Sequence, residues 1–120
     1  MIFPGIFGLV VGLGILGQWL SSYLRDQIPE LETEPIRIWF HIAGEALTAL
    51  ALITSGIGLL TGVSWAPALY FLAVGMLIYT SVVSPGYFAQ QGKWGWMIFF
   101  GLLLALATLS LFYVLRALPI

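Results

Sequence analysis

The chain has 120 residues, 61% hydrophobic and 8% charged, with a formal net charge of −1 and a mean hydropathy of +1.06. A soluble domain carries about 25% charged residues; this chain has too few polar groups to cover a water-facing surface, and lipid is the solvent it suits. The near-neutral balance gives no case for nucleic acid or for a polybasic lipid patch, and the absence of cysteine rules out a disulfide framework and a thiolate metal site.

One domain is the natural count at this length. The expected architecture is an all-α integral membrane protein, an up-down-up-down bundle of four transmembrane helices over about residues 2–24, 36–62, 65–83 and 94–115, with a polar connector at 25–35. Segment one, Ile2 to Leu24, carries no charge. At the helical rise it reaches about 34 Å, enough to cross the hydrocarbon core. It lacks the basic start and small-residue cleavage site of a signal peptide, and reads as a retained membrane helix. Gly5, Gly8 and Gly12 fall on one face and Gly14, Gly17 and Ser21 on the opposite one. Small residues let helix backbones approach closely in lipid. Two such faces predict neighbours on both sides, one of them a second copy of the chain, hence a homodimer.

Arg25 to Pro35 is the strongly polar stretch, with two prolines and four acids that stop segment one. Pro35 sits where a first-turn proline is tolerated, and Glu30, Glu32 and Glu34 suit a positive helix end. Their spacing matches no calcium loop, so the stretch reads as a solvated connector. Segments two and three are joined by Val63-Ser64 alone, a tight hairpin. Ser84-Pro85-Gly86 is expected to interrupt segment three, with Tyr87 to Lys93 as a polar connector. Segment four is closed by Arg116 and Pro119, and Gly101, Ala105 and Thr108 give it a packing stripe.

The aromatic residues fit this reading, because Trp and Tyr prefer headgroup depth. Trp19, Tyr23, Trp39, Tyr87, Trp94 and Trp96 gather at one expected interface, and Trp65, Tyr70 and Tyr113 at or near the other. Arg25, Arg37 and Lys93 lie on the loop side, against Arg116 and the terminal amine on the other. The positive-inside rule then places loops 25–35 and 84–93 in the cytoplasm and the termini outside, in what reads as a prokaryotic cell membrane.

Segment two holds the sole histidine, His41, and Glu45, the acid embedded in a long apolar run. His41, Gly44, Glu45, Thr48 and Ser55 fall within an arc of about 100° and should turn toward the bundle interior. Glu45 lies about 13 Å along the helix from Ile36, well below the headgroups. A charged carboxylate there costs several kcal/mol unless it is protonated, hydrated or paired, and the low dielectric favours the neutral acid. Antiparallel packing brings the late parts of segments three and one to the same depth, with Tyr79, Thr80, Ser81 and Ser84 from one and Gln18, Ser21 and Ser22 from the other. The expected result is a one-sided polar pocket of His41, Glu45, Thr48, Gln18, Tyr79, Thr80 and Ser84. Tyr87, Gln90 and Gln91 stand at its mouth and Pro85-Gly86 at its rim.

The same residues also have a plain structural reading. Ser and Thr bond back to their own helices, and His41 with Glu45 at i, i+4 satisfy each other. As metal ligands His41 and Glu45 are too few, unless a dimer doubles them or waters complete the set. A bis-histidine haem would need both protomers, and no cofactor is expected. No GxSxG, HExxH or paired carboxylates appear.

Three functions remain: a small transporter or channel protomer with Glu45 as the proton- or cation-facing group, a lipid or hydrophobic-ligand binding or accessory subunit, or a membrane enzyme using His41 and Glu45 for proton transfer on a lipid-like substrate. Small multidrug transporters are similar in size and span count, but their functional acid lies on the first helix, and no family membership follows.

Overall fold

A computed structural model describes residues 2–26, 28–90, 92 and 94–117, with the backbone alone described at Glu30 and at 85–90. The described residues form helices α1 (Ile2–Leu24), α2 (Glu30–Thr33), α3 (Pro35–Thr61), α4 (Ala66–Gln90) and α5 (Trp94–Ala117). Four of them, α1, α3, α4 and α5, are long and apolar enough to cross a membrane, so the chain is an all-α membrane-embedded bundle. Its long axis measures 49 Å, comparable with the about 40–45 Å of a bilayer including its headgroups.

The helices pack in chain order around a ring. The seam between α1 and α3 is the most extensive, those of α3 with α4 and α4 with α5 follow, and α1 touches α5 only lightly. Backbone proximity explains the first seam. A Cβ on Gly8 would lie 2.8 Å from the Leu52 carbonyl oxygen, and one on Gly56 would lie 2.7 Å from that of Gly5. Only glycine permits this approach, and in lipid it is close packing, not apolar burial, that holds helices together. The first glycine face of α1 is therefore used within the chain. The opposite face is open, with nothing within 4 Å of where a Cβ on Gly14 or Gly17 would stand.

Gly62 ends α3 in the left-handed conformation at φ 79°. Its N–H and that of Val63 both donate to the Gly58 carbonyl, at 2.9 and 3.0 Å, a glycine C-cap that reverses the chain into α4. Above this turn lies the core. Leu52, Tyr70, Ala73, Val74, Leu77, Ala107 and Val114 are fully buried. Tyr70, expected at or near an interface, is fully enclosed by its neighbours: its hydroxyl donates to Ser110 Oγ at 2.7 Å, and Ser110 donates onward to the Ala107 carbonyl at 2.7 Å. A phenol placed among apolar side chains needs such a partner.

Two further expectations change. Helix α4 is not interrupted at Ser84-Pro85-Gly86 but runs on to Gln90. Proline withholds one N–H, from the Ser81 carbonyl, yet breaking the helix in lipid would orphan several groups, so continuation costs less. The acidic connector is also not wholly solvated. Ile28 is buried in an apolar cleft lined by Trp19, Tyr23, Trp39 and Ile42, which anchors the stretch between α1 and α3.

Candidate functional site

Glu45 stands on the core-facing line of α3 that continues through Thr48, Leu52, Ser55 and Leu59, the last four all buried. Its carboxylate receives one donor from each neighbouring helix. The Trp19 indole N–H of α1 donates to Oε2. The Thr80 hydroxyl of α4 donates to Oε1 at 2.8 Å. Because that hydroxyl has a single proton, the 3.2 Å contact between Thr80 and Ser84 has Ser84 as the donor. His41 Nε2 lies 3.7 Å from Oε1, with the histidine side chain 44% exposed and that of Glu45 15%. The His41 ring meets Trp19 edge to face, centroids 5.7 Å apart. The intramembrane acid is thus tied into three helices, and each oxygen keeps lone-pair capacity for a further partner.

Beside this knot a groove of about 680 Å³ runs between α3 and α4, with His41, Glu45 and Thr48 on one wall and Tyr79 and Thr80 on the other. Its volume lies within the about 300–1,000 Å³ usual for small-molecule sites. It opens sideways toward the surrounding lipid, since its rim residues Phe40, Leu72 and Tyr79 are exposed. Gly44 and Gly75 both line the groove, and nothing among the described residues lies within 4 Å of either missing Cβ, so a side chain at either position would take up space that is now open.

The structure therefore brings together His41, Glu45, Thr48, Tyr79, Thr80 and Ser84. Thr48 turns its hydroxyl back to the Gly44 carbonyl at 2.9 Å, so it shapes the wall and offers the groove no free donor. Gln18 does not join them. It is exposed, and its amide donates to Ser22 on its own helix at 3.2 Å. Ser81 is buried, and its hydroxyl has no partner among the described residues. The Tyr87 side chain, with Gln90 and Gln91 at the expected mouth, lies outside the described residues.

The residue that sequence reasoning missed is Trp19, taken there for an interfacial anchor. A signal for it exists. The buried face of α1 at Gly5, Gly8 and Gly12 continues at helical spacing through Ile15 to Trp19, whereas Gln18 points about 100° away.

Among the described residues no cluster of three or more His, Cys, Asp and Glu side chains is placed to hold a metal. His41 and Glu45 alone supply two ligands, so an ion there would draw the rest from water or a second copy. What the arrangement can do is hold and release a proton or cation at Glu45, with a short hydroxyl chain through Thr80 and Ser84 leading along α4.

A family model described as a domain of unknown function (DUF8058) matches residues 2–118. No curated protein and no solved structure matches the chain.

Proposed function

The chain belongs to the DUF8058 family, and we propose that it is a protomer of a small membrane transporter whose proton- or cation-binding group is Glu45. The observation that carries this is the double attachment of one intramembrane carboxylate, to Trp19 of α1 and to Thr80 of α4. An ionisable residue inside a membrane span marks an ion or substrate path by default. Here a ligand bound to the carboxylate shares an oxygen with a donor that holds a helix seam, and weakens that donor's bond. Occupancy of Glu45 then favours one arrangement of α1, α3 and α4 over another, which is the differential affinity a transport cycle needs.

The working unit in this reading is a homodimer. The open Gly14, Gly17 and Ser21 face of α1 has no partner among the described residues at either glycine and suits close approach of a second copy. A mass or crosslinking measurement in mild detergent that finds monomer alone would remove the dimer. The orientation that goes with it puts loops 25–35 and 84–93 in the cytoplasm of a prokaryotic cell, the termini outside.

The test of transport is uptake into liposomes against a proton gradient. Glu45→Gln keeps the shape and both seam contacts, because its amide oxygen accepts from Trp19 and its N–H donates to Thr80. Loss of uptake in this variant is expected; uptake equal to that of the unaltered chain would sink the proposal. A second reading, a lipid or hydrophobic-ligand binding or accessory subunit, is favoured by the sideways opening of the groove. It predicts ligand retention through purification with no gradient-driven uptake.

A further inference from the structure

We propose that the occupant of the α3/α4 groove is an alkylammonium amphiphile carrying a single positive charge, its head at Glu45 and its chain along α4. The proposal names the substrate class of the site described above and rests on reading Glu45 as its ligand-facing group. Three observations converge on it. The sign comes from the walls: Glu45 is the acid there, and no Lys or Arg lines the groove among the described residues. A lone anion would meet the carboxylate with His41 alone beside it as a counter-charge, whereas a single cation pairs with the carboxylate directly and brings no second charge to bury, unlike a zwitterionic lipid headgroup. The head chemistry comes from Phe40 and Tyr79, aromatic side chains on opposite walls, whose ring faces attract a diffuse, weakly hydrated ammonium. The need for a chain comes from the opening. Leu72, Met76 and Val83 extend the same wall over about 16 Å of α4, at a depth where an apolar tail already resides in the bilayer. Gly44 and Gly75 leave the room in which the head turns past them.

The experiment uses the full chain in lipid nanodiscs and four probes that share a ten-carbon tail: decyltrimethylammonium, decyl sulfate, decyl maltoside and decylphosphocholine. Binding is followed by tryptophan fluorescence and equilibrium dialysis, with empty nanodiscs subtracted. Saturable binding of decyltrimethylammonium alone is expected, weakened roughly tenfold or more by Glu45→Gln and roughly threefold by Phe40→Leu. Gly75→Leu fills the groove without touching the carboxylate and should abolish binding while the thermal unfolding of the variant stays normal. Equal binding of the sulfate or the maltoside overturns the proposal, as does ammonium binding that Glu45→Gln leaves unchanged. Equal binding of decylphosphocholine assigns the groove to a lipid headgroup and also overturns it. Glu45-dependent proton flux in liposomes without alkylammonium binding discards the ligand class and leaves transport standing. The specified binding pattern without such flux retains the ligand class and discards transport.

Discussion

The two ends of the bundle use the same residue types in opposite ways. At the end of the α3–α4 turn, Gly8 and Gly56 bring α1 and α3 into backbone contact. Hydroxyls there are consumed inside the core, with Tyr70 closing on Ser110. At the other end, Gly44 and Gly75 have no described atom within 4 Å of their missing side chains, the Thr80 hydroxyl donates to a carboxylate, and α5 contributes none of its buried residues, Ala107, Ser110 and Val114, which all lie in its second half. Glycine in a membrane helix therefore carries no fixed meaning. It closes a seam where a neighbouring backbone occupies its missing side chain, and keeps a cavity open where nothing does. One end of this protein is built to hold still, and the other leaves an acidic side chain with room beside it.

Substitutions that exchange these roles test the contrast directly. The largest effect is expected of Gly8→Leu, whose side chain would start 2.8 Å from the Leu52 carbonyl oxygen. Overpacking there should cost about 3 kcal/mol, read as a lowered midpoint in detergent unfolding. Next is Trp19→Phe, which keeps an aromatic ring but removes the N–H that Glu45 accepts. Loss of this interhelical hydrogen bond should cost about 1.5 kcal/mol, and uptake should fall with it. If stability drops while uptake stays, the Trp19 contact is structural only.

Tyr70→Phe deletes the hydroxyl that meets Ser110. Interhelical hydrogen bonds in membranes are worth about 1 kcal/mol, and since Ser110 still bonds the Ala107 carbonyl, the loss should be no more than that and uptake should not change. Smallest of all is Gly75→Leu, expected to alter stability by less than about 0.5 kcal/mol although it fills the groove. A large destabilisation in that variant would show that the open end is as tightly built as the closed one, and the comparison would fail.

Much of the candidate site was legible from a short stretch. Glu45 stands out as an acid in an apolar run, and antiparallel pairing of neighbouring segments is enough to put Thr80 and Ser84 at its depth. Gln18 shows where this stops. Its polarity points to the site, but helix phase decides which side chain faces a neighbour, and phase selects Trp19. Tyr70 makes the same point about helix phase at the other end. Read as an interfacial aromatic, it shares its face with Ala66, Ala73 and Leu77, all fully buried. Pro85 is a helix breaker by its chemistry in water, whereas lipid leaves a broken backbone nothing to bond to.

Composition alone settled that the chain lives in lipid, and the lengths of its apolar runs settled four crossings, because both follow from the transfer of side chains and the thickness of the bilayer. Periodicity placed His41, Glu45 and Thr48 on one face for the same reason that any helix does. Which of the two glycine faces of α1 closes within the chain, which donors hold Glu45, and whether the space beside it is filled or open were decided only by tertiary packing. Those outcomes depend on what stands opposite each position, and on the rotation of each helix about its axis, quantities that no single segment contains.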